Sequence, residues 1–422
     1  MKRSLLAFSV ILCHMHGQAQ LSITSIKSSF VLYPQRQKME RSLHDYTING
    51  SFSLPLNNET QYRYQSAFWA ISQFMVLDSF VMRGFRNTMA GWDSLERETR
   101  RSCLEAMYAV DPPSFEAPLW KNMHQEKDPK ILSMGLIFLH RRDPVKYDLK
   151  SITAFARQKF GADSLPPHLE VLSDWLREEH GTPGVLPPLA DLFQYNKDHG
   201  IKAVYSFQRH DRDQPGLAIV QFEDGKFARD GNGKLITVRQ LARSGSSLPY
   251  FLTNGNTPQG MYRITGIDTS HNNFIGPTPN IQLYMPNEYW WHAFMPDDRD
   301  TTDPVSAYRS MLPETWMYWA PMMQSFTAGK LGRTEVIAHG TTIDPKFFKG
   351  RPFYPLTPTM GCLCARESWN TTTGKLIDSE QFKLANTFLS TQVQRGYLYV
   401  IELDGQHRPV GADELEKWAA GF

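Results

Sequence analysis

Near Gly200 the chain changes its hydrophobic period, and that change limits the folds open to it more than any other feature. Ahead of it, from about Tyr46 to His199, apolar residues recur at helical spacing. Asp93-Ser94-Leu95-Glu96 reads as a capping box, with Leu95, Cys103, Met107 and Val110 following on one face. Asp128-Pro129 supplies an N-cap with proline in the first turn and predicts a helix from Lys130 to His140. His168 to His180 places Leu169, Leu172 and Leu176 on one face, with Gly181 at the C-cap. Beyond Gly200, Ala203 to Phe207 and Leu217 to Phe222 read as strands. Glu223-Asp224-Gly225 and Asp230-Gly231-Asn232-Gly233 read as turns. Short strands continue to about Gly350, Asp378-Ser379-Glu380-Gln381 opens one late helix as a capping box, and Tyr397 to Leu403 is a final strand. The expected class is α+β: an N-terminal all-helical domain, then a β-rich domain. A length of 422 residues suits two domains.

Lys2 and Arg3 precede an apolar run, Ser4 to Leu12, that is too short to span a bilayer. Gly17-Gln18-Ala19 puts small residues where a signal peptidase cuts. The expected division is a signal peptide over 1–19, a helical domain over 20–200 and the β-rich domain over 201–410. Cys13 leaves with the signal, and Val10, Ile11 and Leu12 are too bulky for a lipoprotein anchor. Ala67 to Met82, the most apolar later run, contains Ser72, Gln73 and Asp78, so no transmembrane segment is expected in the mature chain. An exported protein of the periplasm or cell envelope follows. The 45 basic and 43 acidic residues nearly cancel, which argues against nucleic acid as a partner.

Three cysteines remain after export, and three thiols cannot all pair within one chain. Cys362 and Cys364 are too close to bridge comfortably. Cys103 sits on an apolar helix face and is expected to be buried and inert. Cys362 follows Gly361 and lies 23 positions beyond His339. A thiol attacks as its thiolate, which a nearby imidazole favours. Gly361 lets the backbone approach a bound carbonyl, and amide N–H groups near Cys362 are placed to form an oxyanion hole. On residue types alone, a buried structural cysteine and a surface histidine remain the commoner explanation of such a pair.

Three segments in order carry a resemblance. They are Thr257-Pro258-Gln259-Gly260-Met261-Tyr262-Arg263-Ile264, then Gln282-Leu283-Tyr284-Met285-Pro286, then His339-Gly340-Thr341 with Thr359-Met360-Gly361-Cys362-Leu363. Together they resemble the L,D-transpeptidase (YkuD-like) catalytic domain over roughly residues 203 to 405. The resemblance implies that Cys362 is the nucleophile toward a peptidoglycan stem peptide and that His339 is its base. It implies that the Gly340 carbonyl orients the imidazole and that Gly361 and Cys362 supply oxyanion donors. Thr359 shapes the turn, and Tyr284 lies on the substrate side. The implied reaction passes through a thioacyl enzyme to an amine acceptor, with no metal and no cofactor.

Departures from the family pattern are specific. Met360 stands where a second histidine is usual, and Cys364 where Arg or Asn is common. Arg366 is the residue nearest to replace that side chain. The gap from His339 to Thr359 is long, and Lys346, Phe347, Phe348 and Arg351 within it are expected to form a loop over the cleft. The segment from Pro286 to Glu335, rich in Trp290, Trp291, Trp316, Tyr318 and Trp319, is expected to be packed core rather than a lid. Two further outcomes fit the same residues: an L,D-carboxypeptidase or other hydrolase using Cys362, or a catalytically inactive peptidoglycan-binding module.

Overall fold

The computed structural model describes residues 22–161, 163–180, 184–295 and 302–422. The proposed signal segment, Cys13 and Gly181 lie outside the described residues. Helices fill the first half, among them Gln61–Phe74, Arg97–Val110, Pro129–Arg142, Pro167–His180 and Leu189–Asp198. The Asp128 carboxylate caps its helix as expected, accepting from the Lys130 and Ile131 N–H groups at 2.9 and 3.1 Å. Leu169, Leu172 and Leu176 are buried together. The Asp93 capping box does not form. Residues Trp92–Ser94 make a single 3-10 turn, and the helix starts at Arg97 behind Glu96. The Glu96 N–H goes instead to Gln61 Oε1 at 2.7 Å, so a distant side chain satisfies the donor that a box would have satisfied locally.

Among the described residues ten strands follow: β1 (Ala203–Gln208), β2 (Gly216–Gln221), β3 (Val238–Leu241), β4 (Gly260–Asp268), β5 (Asn280–Tyr284), β6 (Ile337–His339), β7 (Leu363–Ala365), β8 (Glu367–Trp369), β9 (Leu376–Ser379) and β10 (Gly396–Glu402). Eight of them close into a barrel in the order β1-β10-β4-β5-β6-β7-β3-β2, while β8 and β9 pair separately. The chain is therefore α+β, with a helical first half and a barrel behind it. Alternation along the strands builds two cores. Val204, Val220, Ile264, Ala338, Leu363 and Val400 fill the barrel interior. Tyr205, Ile219, Met261 and Tyr399 point outward against Phe193, Tyr308 and Trp316.

The segment between β5 and β6 wraps this outer face. Trp316 is fully buried, and its Nε1–H donates to Pro188 O at 3.0 Å. Its role as packed core holds there, but not throughout, because Trp290 and Tyr318 are 74% and 77% exposed. The connection from β6 to β7 also differs from expectation. Its Phe348, Phe353 and Leu356 are buried in the same core as the helices, together with Phe251 and Leu252 from the β3–β4 loop. Phe347 packs on Phe74, with ring centroids 4.8 Å apart. These aromatics find a larger apolar environment among the helices than a cleft edge offers, so the segment is part of a core and not a free cover. That core draws residues from both sides of Gly200. The late helix runs Glu380–Phe388, and Ser379 rather than Asp378 caps it, through Oγ to the Phe382 N–H at 2.9 Å. Asp378 pairs with Arg366.

Candidate active site

Antiparallel strands can join through a tight turn, whereas a parallel pair needs a long crossover. β6 and β7 are parallel, with Ala338 opposite Leu363 and His339 opposite Cys364. That pairing accounts for the length of chain between His339 and Cys362: the whole stretch between them is the crossover. Ala338 and Leu363 point into the barrel. By alternation His339, Cys362 and Cys364 share the outward face.

His339 is buried at the end of β6. Its Nδ1–H donates to the Gly340 carbonyl at 2.5 Å, which fixes the tautomer and leaves Nε2 as the proton acceptor. Burial pulls the imidazole down to about 4, against the opposing pull of that carbonyl. At neutral pH His339 is therefore an uncharged base.

Behind the His339-Gly340-Thr341 turn stands Glu367, a residue with no motif to mark it. A side chain on Gly340 would meet the Glu367 carboxyl at 2.2 Å, so this close approach requires glycine. Glu367 accepts from the Thr341 N–H at 2.9 Å and from Ser379 Oγ at 2.7 Å. Trp369 Nε1–H donates to Thr341 O at 2.9 Å, so the turn is held on both sides. Burial raises the Glu367 carboxyl to about 7 from an ordinary 4.5, against its hydrogen bonds to Ser379 and Thr341. A folded-state value above the unfolded one means that the folded protein binds the extra proton. That contribution is complete below about 4.5 and fades as pH rises through 7. Glu367→Gln, which mimics the protonated acid, should flatten the fall in stability between about pH 5 and pH 8, a fall worth up to about 3 kcal/mol in the parent protein. Denaturant unfolding at several pH values checks this, and parallel curves for the two proteins would refute it.

Cys362 is half-buried, next to an exposed Met360. Its thiol donates to Glu335 O at 3.5 Å and receives the Ile337 N–H. No hydrogen bond joins it to His339 among the described residues. Glu335 is held at φ +62, a conformation unusual outside glycine, and its own N–H donates to Glu288 Oε1 at 2.8 Å. The Cys362 thiol is pushed up to about 11, first by burial and then by Glu335 and Glu288, while Ile337 and Arg333 oppose the rise. The resting pair is a neutral thiol and a neutral imidazole.

Thr359 Oγ accepts from the Gly361 N–H at 3.1 Å and donates to Cys362 O at 2.8 Å, which makes a hydroxyl-stapled turn. The Gly361 N–H is thereby occupied, so of the two oxyanion donors expected only the Cys362 N–H stays a candidate. Thr257 Oγ donates to Gly361 O at 2.9 Å, linking the Thr-Pro-x-Gly segment to the cysteine turn across 104 positions. Tyr284 ends β5, whose partner is β6, and its ring lies 4.4 Å from that of Tyr289. The helices also reach the turn. Trp69 Nε1–H points to Met360 Sδ at 3.4 Å, and Gln73 Nε2–H donates to Pro358 O at 3.2 Å.

The other expected residues sit apart from this chemistry. Arg366 turns to Asp378 and does not enter the site. Cys364 is buried against Thr357, and burial pushes its thiol up to about 12. Cys103 is fully buried, and among the described residues Cys103, Cys362 and Cys364 are all unpaired. Among the described residues no three His, Cys, Asp or Glu side chains converge as metal ligands, and no helix is long and apolar enough to cross a membrane. Arg333, Glu335 and Glu367 surround the site without any motif in the sequence; the sole hint is Gly332 at the end of a short helix, which marks a helix stop just before Arg333. No family model, curated protein or solved structure matches this chain.

Proposed function

We propose that the protein is an exported acyl-transfer enzyme of the cell wall, a peptidoglycan L,D-transpeptidase with Cys362 as nucleophile and His339 as base. The observation that carries this reading is the meeting of separate segments at one turn. Thr257 bonds Gly361, β5 with Tyr284 lines β6, and β6 sets His339 beside the strand that follows Cys362.

The neutral pair defines the chemistry. The Cys362 thiol turns from the Glu335 carbonyl toward His339 Nε2, and Sγ attacks the stem-peptide carbonyl as Nε2 takes its proton. The Cys362 N–H faces the negative oxygen. The tetrahedral intermediate collapses with loss of the D-Ala amine, which leaves with the proton from Nε2. An acceptor amine then attacks the thioester and gives its proton to Nε2, the C–S bond breaks, and Nε2 passes that proton to the departing Sγ, which restores the thiol and the neutral imidazole. Met360, exposed and without a proton to give, keeps a second acceptor in view. Water in place of the amine makes the same enzyme an L,D-carboxypeptidase, and product analysis with and without an amine separates the two.

The test is intact mass after incubation with a carbapenem. Opening of the β-lactam forms an Sγ–acyl bond, breaks the ring C–N bond and adds the full mass of the inhibitor. A folded protein with no adduct would favour the inactive binding module. Cys364→Ser should leave the adduct yield within about twofold of the parent, because that thiol is buried and more strongly protonated. Loss of the adduct in Cys364→Ser would move the nucleophile to Cys364.

A further inference from the structure

Arg333 enters the structure through a helix ending. The helix Gln324–Lys330 stops at Gly332, which lies at φ +86. The Gly332 N–H bonds Gly329 O at 2.9 Å and the Arg333 N–H bonds Ala328 O at 3.0 Å. This pair of bonds is a Schellman motif, in which the residue after the glycine usually packs an apolar side chain back on the helix. Here that position carries a buried arginine, 5% exposed.

Among the described residues its guanidinium is held by main-chain oxygens alone. Nη1 donates to Asn256 O at 2.8 Å and to Tyr250 O, and Nη2 donates to Gly255 O at 3.1 Å. Among the described residues it makes no ion pair with a carboxylate. Removing a cation from water is costly, and carbonyl dipoles alone leave its charge unneutralised. The charge is aimed at the cysteine turn. A side chain on Gly361 would meet Nη2 at 2.4 Å and Gly255 O at 2.7 Å, and Gly361 itself sits at φ +112. The glycine before Cys362 is thus required twice, by its own backbone and by the guanidinium behind it.

We propose that Arg333 is the electrostatic support of Cys362: a buried cation, held by the 250–256 loop and lacking a carboxylate partner, whose free charge stabilises the thiolate. The inference rests on the proposed role of Cys362. It accounts for a site that lacks the second histidine at position 360 and keeps its other histidine neutral. The remaining charged or titratable groups that act on the thiol are Glu335 and Glu288, which disfavour the thiolate, and the Cys364 thiol. Of the described groups with the largest effect on it, Arg333 is the cation. Arg333 is also drawn down to about 10 by its burial, while Tyr262 and Cys362 hold its charge. Arg333 is a positioning residue in this account, because it acts through Cys362.

The test reads the thiol directly, by brief pulses of iodoacetamide from neutral to strongly alkaline pH, with Cys362 followed by peptide mass in the full chain. The thiolate displaces iodide and becomes a thioether. Arg333→Gln keeps N–H donors for the loop carbonyls and removes the charge. Because burial draws Arg333 down to about 10, the comparison is made at pH 7 to 9, where Arg333 is charged and Cys362 is mostly thiol. Without the charge the thiolate population there should fall about tenfold, the low end of the effect of an adjacent opposite charge. The alkylation rate should fall only about threefold, since a more basic thiolate is also a better nucleophile. Arg333→Lys keeps the charge, and its rate should stay close to that of the parent. A Gln variant with the parent rate overturns the proposal, as does a Lys variant slowed as far as Gln. If the Gln variant does not fold, the Lys variant decides alone, and a loss of about threefold with the charge retained overturns the proposal. Because alkylation needs no transpeptidase activity, a rate that depends on Arg333 in a protein that forms no carbapenem adduct favours the inactive binding module over the enzyme and leaves this inference standing.

Discussion

Cys362→Ala is expected to abolish turnover and the carbapenem adduct together, in a protein that stays folded. The substitution removes the atom that forms the covalent bond. What remains is binding and one oxyanion donor, so the loss in rate should be on the order of 10⁴-fold or more. The fold loses little. Cys362 is half-buried, and its thiol makes two weak hydrogen bonds, donating to Glu335 O at 3.5 Å and accepting from the Ile337 N–H. A stability change of about 1 kcal/mol or less follows. The three thiols separate cleanly in this experiment. Cys103 is sealed in the helical core and Cys364 lies under Thr357, so neither replaces Cys362 when it is removed. An adduct that persists in Cys362→Ala, or turnover near the parent rate, would end the nucleophile assignment. An adduct lost along with cooperative unfolding would instead show that the thiol was structural.

How much of this was legible before any coordinates depends on the distance over which each feature is built. Local features read well. Asp128-Pro129 caps its helix, Leu169, Leu172 and Leu176 bury together, and Asp230 closes a turn through the Asn232 and Lys234 N–H groups. The strand segments also read well, because alternation is a local pattern. Closure of the strands into a barrel did not, since nothing in β1 alone announces that it pairs in parallel with β10. The crossover from β6 to β7 looked like a loop over a cleft because its length was visible and its destination was not. Phe348 and Phe353 reveal that destination only once the helices are in place. Arg333 shows the limit most clearly. Its partners are main-chain oxygens 77 to 83 positions away, and a carbonyl leaves no mark in a sequence. Glu367 is similar: the glycine at 340 is legible, but the carboxyl that requires it is not.

His339→Ala is expected to slow acylation by about 10²–10⁴-fold, the usual worth of a positioned general base. The neutral resting pair makes a sharper prediction than the size of that loss. If Cys362 and His339 rested as thiolate and imidazolium, removing the imidazole would raise the thiol far above its present value. Here the imidazole is already uncharged, drawn to about 4 by burial, and the thiol is already protonated, near about 11. The iodoacetamide midpoint of Cys362 should therefore move by less than about one unit in His339→Ala, even as acylation collapses. The pH profile has a matching sign. The base works only when neutral, and its folded-state value lies below the ordinary 6.5, so activity should persist through pH 6 and fall only as pH approaches about 4. An acid limb near 6.5 would mean that the imidazole is exposed in the working enzyme. A midpoint that leaps upward in His339→Ala would mean that the two residues rest as an ion pair, with the proton already transferred before substrate arrives.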